Sequence, residues 1–171
     1  MKEVLTAGLL LAATGYDVTR RKIPNGLLGI GAIAGLLVTL YECGVVQMGE
    51  CIIRCIVIVA ICWPLFLLRA IGAGDIKLLG IIGGMHSTSF FLNVVLVFLT
   101  LSGIGAFCLL CKNGLFSKRM RYAFSYFTTG RMDKRLYYDK RIDGTEMTMI
   151  LTPYLLAAYL LAMAGRWCGL W

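Results

Sequence analysis

Charge is the scarcest feature of this chain. Of its 171 residues only 15% are Asp, Glu, Lys or Arg, against 59% hydrophobic, and the mean hydropathy is +0.80. Soluble domains carry roughly 25% charged residues, so an aqueous enzyme or soluble binding module is excluded. Histidine occurs once and proline three times, and the apolar residues lie in long blocks rather than amphipathic patterns. The chain reads as an all-α polytopic membrane protein. With a span and its connection taking about 25–30 residues, the length accommodates six helices as a single integral-membrane domain over 1–171.

Acids are rarer than bases, nine against seventeen, for a net charge of +8. Such an excess can signal nucleic acid, but cytoplasmic loops of membrane proteins collect Lys and Arg, so no nucleic-acid partner is expected. Cys108-Leu-Leu-Cys111 has the spacing of a metal ligand pair. It sits in an apolar run far from the single histidine, so the cysteines read as small packing residues, and neither metal nor cofactor is expected. Pairing of Cys43 with Cys51 is left open.

The apolar runs are Val4–Tyr16, Gly26–Tyr41, Cys51–Leu68, Leu78–Cys111 and Thr148–Gly165. The first, behind Lys2 and ending in small residues, resembles a secretory signal. It is expected to stay as an uncleaved span, because cleavage would leave a terminus beside Asp17. A straight helix over Leu78–Cys111 would be about 50 Å long, against a hydrocarbon core of about 30 Å. Two spans with a turn near His86 are therefore expected, the fourth starting near Gly72–Gly74. His86 itself reads as a loop residue. With the N-terminus outside, fourteen of the seventeen cations fall inside, nine of them in a basic cytoplasmic loop over 112–147. A five-span arrangement would put that loop outside.

Asp17 and Asp75 then lie at the inner ends of the first and fourth spans. An acid at membrane depth is costly and usually faces a protein interior or watery cavity. Two such acids at one depth fit aspartic proteolysis: one carboxylate takes a proton from water while its protonated partner donates to the scissile carbonyl. Spacing alone equally allows two interfacial acids neutralised by Arg20, Arg21 and Lys77.

Asp17-Val-Thr-Arg-Arg-Lys-Ile-Pro-Asn25 and Gly72-Ala-Gly-Asp-Ile-Lys77 closely resemble the two signatures of the type IV prepilin peptidases, membrane aspartic proteases with a GxGD motif. The resemblance implies that Asp17 and Asp75 are the catalytic pair. It implies a prepilin-like substrate with a short leader, cut after a glycine at the cytoplasmic face of the inner membrane. Paired CxxC elements associated with pilin N-methylation are missing between Asp17 and the second run. The chain thus resembles the small form found with tight-adherence pili, a peptidase without the methyltransferase.

Around these acids, Pro24 suits the first turn of the second span and Asn25 can cap it. Gly72 and Gly74 allow close backbone approach. Lys77 reads as a headgroup anchor, with a site-organising role also open. Thr152-Pro153-Tyr154 reads as a helix kink or as the proline-containing element of the family's last span. Phe116, Met120, Phe124 and Phe127 recur at helical spacing among Lys118, Arg119 and Arg121, which suits a basic amphipathic helix on anionic lipid or a substrate-docking surface. A basic leader would be repelled by the loop as a whole, although Asp133, Asp139, Asp143 and Glu146 could make a complementary patch. Competing functions are a preflagellin peptidase, a broader GxGD protease of the presenilin type, and a proton-coupled transporter or assembly scaffold. Oligomeric state is not legible.

A reporter fused within 112–147 tests the sidedness. Green fluorescent protein fused there is expected to fluoresce and alkaline phosphatase to stay inactive, and the reverse pattern contradicts the six-span arrangement.

Overall fold

A computed structural model describes residues 1–67, 71–112 and 150–169, and the described part is all-helical. The helices are α1 (Lys2–Arg20), α2 (Asn25–Cys43), α3 (Val45–Leu67), α4 (Ala73–Met85), α5 (Thr88–Lys112) and α6 (Thr152–Trp167). They follow the five apolar runs, with α4 and α5 dividing the fourth between them, and the break between α4 and α5 falls at His86–Ser87. The basic stretch 113–147, with its amphipathic pattern at Phe116–Phe127, lies outside the described residues, as does Arg69. Among the described residues three helices are long and apolar enough to cross a membrane: α2, α3 and α5 through Leu109.

The chain divides into two compact units, Met1–Leu99 with Ile150–Trp171, and Thr100–Met149. Of the second, the described part is the continuation of α5 to Lys112. In the first, α4 is the central element. It packs against α3 and α2 and touches α1, while α1 packs against α2 and α6. From Leu78 to Met85 every residue of α4 is buried. At 1.5 Å per residue its 13 residues span about 20 Å, less than a hydrocarbon core. A short helix is tolerable there because its neighbours, not lipid, surround it. The outer helices are the reverse case: Ile30, Ile33 and Leu37 on α2, Ile53 and Ile61 on α3, and Leu92 and Leu96 on α5 are all exposed. Apolar faces of that extent are stable against lipid tails, not water.

Small residues set how closely α3 and α4 approach. A Cβ at Gly84 would stand 2.9 Å from the Cys51 carbonyl oxygen, and one at Gly80 would stand 3.2 Å from the Cys55 Sγ. Without a hydrophobic drive between helices in lipid, such close contact supplies the packing energy. All seven cysteines are free thiols, so Cys43 and Cys51 do not pair.

His86 caps the C-terminal end of α4 and, unlike an ordinary loop residue, is only 6% exposed. Its Nε2 lies 3.1 Å from the Thr6 hydroxyl and 3.3 Å from the Tyr159 hydroxyl, and its ring packs against Phe90 and Tyr159. Arg54 donates to its carbonyl at 3.0 Å. The turn is buried because α1, α3, α5 and α6 all supply partners to it.

Replacing Gly84 by Ala forces the Cys51 backbone to move and is expected to cost about 1–3 kcal/mol, read as a lower thermal midpoint in detergent. Gly29→Ala, where a Cβ meets no described atom within 4 Å, is expected to leave the midpoint unchanged or to raise it slightly.

Candidate active site

Four helix termini converge at the end of the first unit away from His86: the last turn of α1 and the first turns of α2, α4 and α6. The local sequence explains each. Arg21 ends α1 in the left-handed conformation (φ 50°), its N–H bonded to the Asp17 carbonyl at 2.9 Å. This reversal turns the chain back within three residues. Pro24, extended at ψ 132°, then caps α2, and its carbonyl accepts from Leu27 and Leu28. The cap is therefore Pro24 and not Asn25. Asn25 is the first helical residue and makes no capping bond.

Its side chain has a different partner. The Asn25 Oδ1 accepts a 3.0 Å hydrogen bond from Lys77 Nζ. Lys77 is exposed, as a headgroup anchor would be, yet it ties the start of α4 to the start of α2. The Ile-Pro-Asn element and the GxGD element are joined a second time through Gly74, where a Cβ would lie 3.2 Å from the Ile23 Cδ1.

Gly72 is the N-cap of α4, with φ −72° and ψ 148°. Any residue can adopt that backbone, so the need for glycine is space: a Cβ there would stand 3.1 Å from the Asp75 Oδ2. Asp75 is the third helical residue and folds back to accept from the Gly72 backbone N–H. This is one half of a capping box, the N3 side chain reaching back to the N-cap N–H, since a glycine N-cap has no side chain to return the bond. It fixes the carboxyl and places it at the positive end of the α4 dipole.

Asp17, half-buried in the last turn of α1, lies within electrostatic reach of Asp75. The Thr152 hydroxyl donates a hydrogen bond to the Asp17 Oδ2 and is also within hydrogen-bonding reach of the Asp75 carboxyl. Thr152 is fully buried and is the first residue of α6, with Pro153 in the first turn, so this proline starts a helix rather than kinking one. The structure thus brings together Asp17, Asp75, Gly72 and Gly74, with Pro24, Asn25 and Lys77 alongside. It adds Thr152, which the sequence marks only as part of Thr152-Pro153-Tyr154, with no role at the acids. The available signal was a hydroxyl immediately before a proline at the edge of an apolar run. Among the described residues no three His, Cys, Asp or Glu side chains gather as they would around a metal ion.

Such a site holds two carboxyls at a polar rim above an apolar helical wall, which suits proton exchange with a water between them. Comparison with known proteins bears on this arrangement. Neither the curated proteins nor the solved structures contain a match to the chain. The sequence profile of the Type IV leader peptidase family matches residues 4–110, a stretch holding both acids and both motifs but ending before Thr152. A match over more than half of the chain, carrying those paired acids, shows that this membrane protein belongs to the type IV leader peptidase family.

Proposed function

We propose that the chain is an aspartic endopeptidase that removes the leader from prepilin-like substrates at the cytoplasmic face of the inner membrane. The observation that carries this reading is the meeting of Asp17 and Asp75, from two separate helices, at the single hydroxyl of Thr152. The family membership supports peptidase activity. The siting of the cut is supported by charge: Arg20, Arg21, Lys22 and Lys77 cluster at the acids' end, as the positive-inside tendency requires of a cytoplasmic rim. On this reading the whole chain is one multi-pass domain seated in the bilayer, with the 112–147 stretch as a cytoplasmic loop.

Two carboxyls a few ångströms apart cannot both ionise easily, so the pair holds one proton between them. The ionised member takes a proton from water as the water oxygen attacks the scissile carbonyl carbon. The protonated member gives its proton to the carbonyl oxygen, yielding a neutral gem-diol. On collapse the first acid returns its proton to the amide nitrogen and the second recovers one from a gem-diol hydroxyl. The C–N bond breaks, the leader carboxyl and the new amine leave, and the pair is back in its starting state. Gly72 keeps room for one carboxyl, and the Lys77–Asn25 bond holds the two motifs in register.

Incubating purified protein with a prepilin bearing a short leader, then weighing the products, tests the reading. The wild type is expected to release a product whose mass places its new N-terminus just after the leader glycine. Asp17→Asn and Asp75→Asn are each expected to lower the rate by roughly 10³-fold or more. Gly72→Ala, which crowds the Asp75 carboxyl without removing it, is expected to lose roughly 10- to 100-fold. Continued cleavage by both Asn variants overturns the assignment.

A further inference from the structure

We propose that Thr152 is a positioning residue for the acid pair, its hydroxyl holding Asp17 in the orientation in which it acts on water. The inference rests on the peptidase reading above and concerns a residue outside the stretch that the family profile matches.

Four other threonine hydroxyls of this chain bond within their own helices. Those of Thr6, Thr14, Thr19 and Thr39 each donate to the carbonyl four residues back in their own helix, at 2.7–2.8 Å. That is the default for threonine inside a helix, because the carbonyl one turn back is always in reach. Thr152 is the first residue of α6, preceded by the N-cap Leu151. Its hydroxyl reaches another helix and donates to the Asp17 Oδ2. Placement one turn further into α6 would have returned the hydroxyl to the backbone.

Burial makes this bond consequential. Thr152 is 0% exposed, so water cannot replace the partner it loses. Asp17 stands in the last turn of α1, where the negative end of the helix dipole disfavours a carboxylate, whereas Asp75 sits at a favourable helix start. The acid with the poorer helical environment is the one that receives the hydroxyl donor. A hydroxyl carries one proton and can donate only once. In this structure the hydroxyl donates to Asp17, while Asp75 stands within reach of the same hydroxyl and has the Gly72 backbone N–H as a further partner.

Shape and hydroxyl can be separated by two substitutions. Thr152→Val keeps the branched shape and removes the hydroxyl, while Thr152→Ser keeps the hydroxyl and removes the methyl. Against a prepilin substrate, Thr152→Val is expected to lower kcat by about 10- to 100-fold with KM unchanged, the size set by a lost hydrogen bond to a charged group. Thr152→Ser is expected to retain kcat within about threefold of the wild type. A residue that only packs gives the opposite order, with Val active and Ser impaired, and that order overturns the proposal. So does an effect confined to KM. Wild-type cleavage that is lost in Asp17→Asn while Thr152→Val stays fully active sinks this inference and leaves the peptidase reading standing. Wild-type protein that cuts no prepilin sinks both.

Discussion

Two carboxyl groups in a chain that is 59% hydrophobic have few places to go, and their placement governs the rest of the structure. An acid buried against lipid is costly, so both must reach one polar rim, and they must come from different helices. The fold meets this by bringing four helix termini together at one end: the last turn of α1, bearing Asp17, and the first turns of α2, α4 and α6. Helix starts carry free N–H groups and a positive dipole end. Three of them around a pair of acids make that rim far more hospitable to negative charge than a helix middle.

The remaining scaffold keeps that rim in register. A central helix too short to cross a membrane carries Asp75 at its start and the buried His86 just past its end, about 16 Å along the axis. Glycine allows α4 to lie directly on the backbone of α3. Beyond its C-terminal end, the Thr6, Tyr159 and Arg54 contacts to His86 lock the turn into α1, α6 and α3. An ion pair between Arg166 and Glu3, at 3.3 Å, joins α6 to α1 at that same end. Fixing α4 at one end limits how far Asp75 can drift at the other, which is what a pair of acids sharing a proton requires.

Much of this was legible in the sequence because lipid is a severe selector. The break at His86 followed from the excess length of Leu78–Cys111, and the start of α4 near Gly72 followed from the need to turn there. The roles of individual polar side chains were less legible, since they depend on which helix faces which. Asn25 has the composition of a cap, but Pro24 occupies that place and leaves the amide to Lys77. His86 has the composition of a loop residue, but three hydrogen-bonding neighbours from distant segments enclose it. Thr152 carries no periodicity signal at all. Its importance comes from standing one residue inside a helix start, a boundary that hydropathy locates only to within a few residues.

The central claim is geometric: Asp17 and Asp75 share one small space. With the seven native cysteines replaced by Ala or Ser, cysteines placed at 17 and 75 test it directly in membranes. Treatment with a mild oxidant or a short bifunctional thiol reagent, followed by proteolysis and mass spectrometry, reports whether the two positions are joined. The account predicts efficient intramolecular linkage between 17 and 75, and little between 17 and a cysteine at 86. Linkage of 17 to 86 in preference to 75, or none to 75, contradicts it.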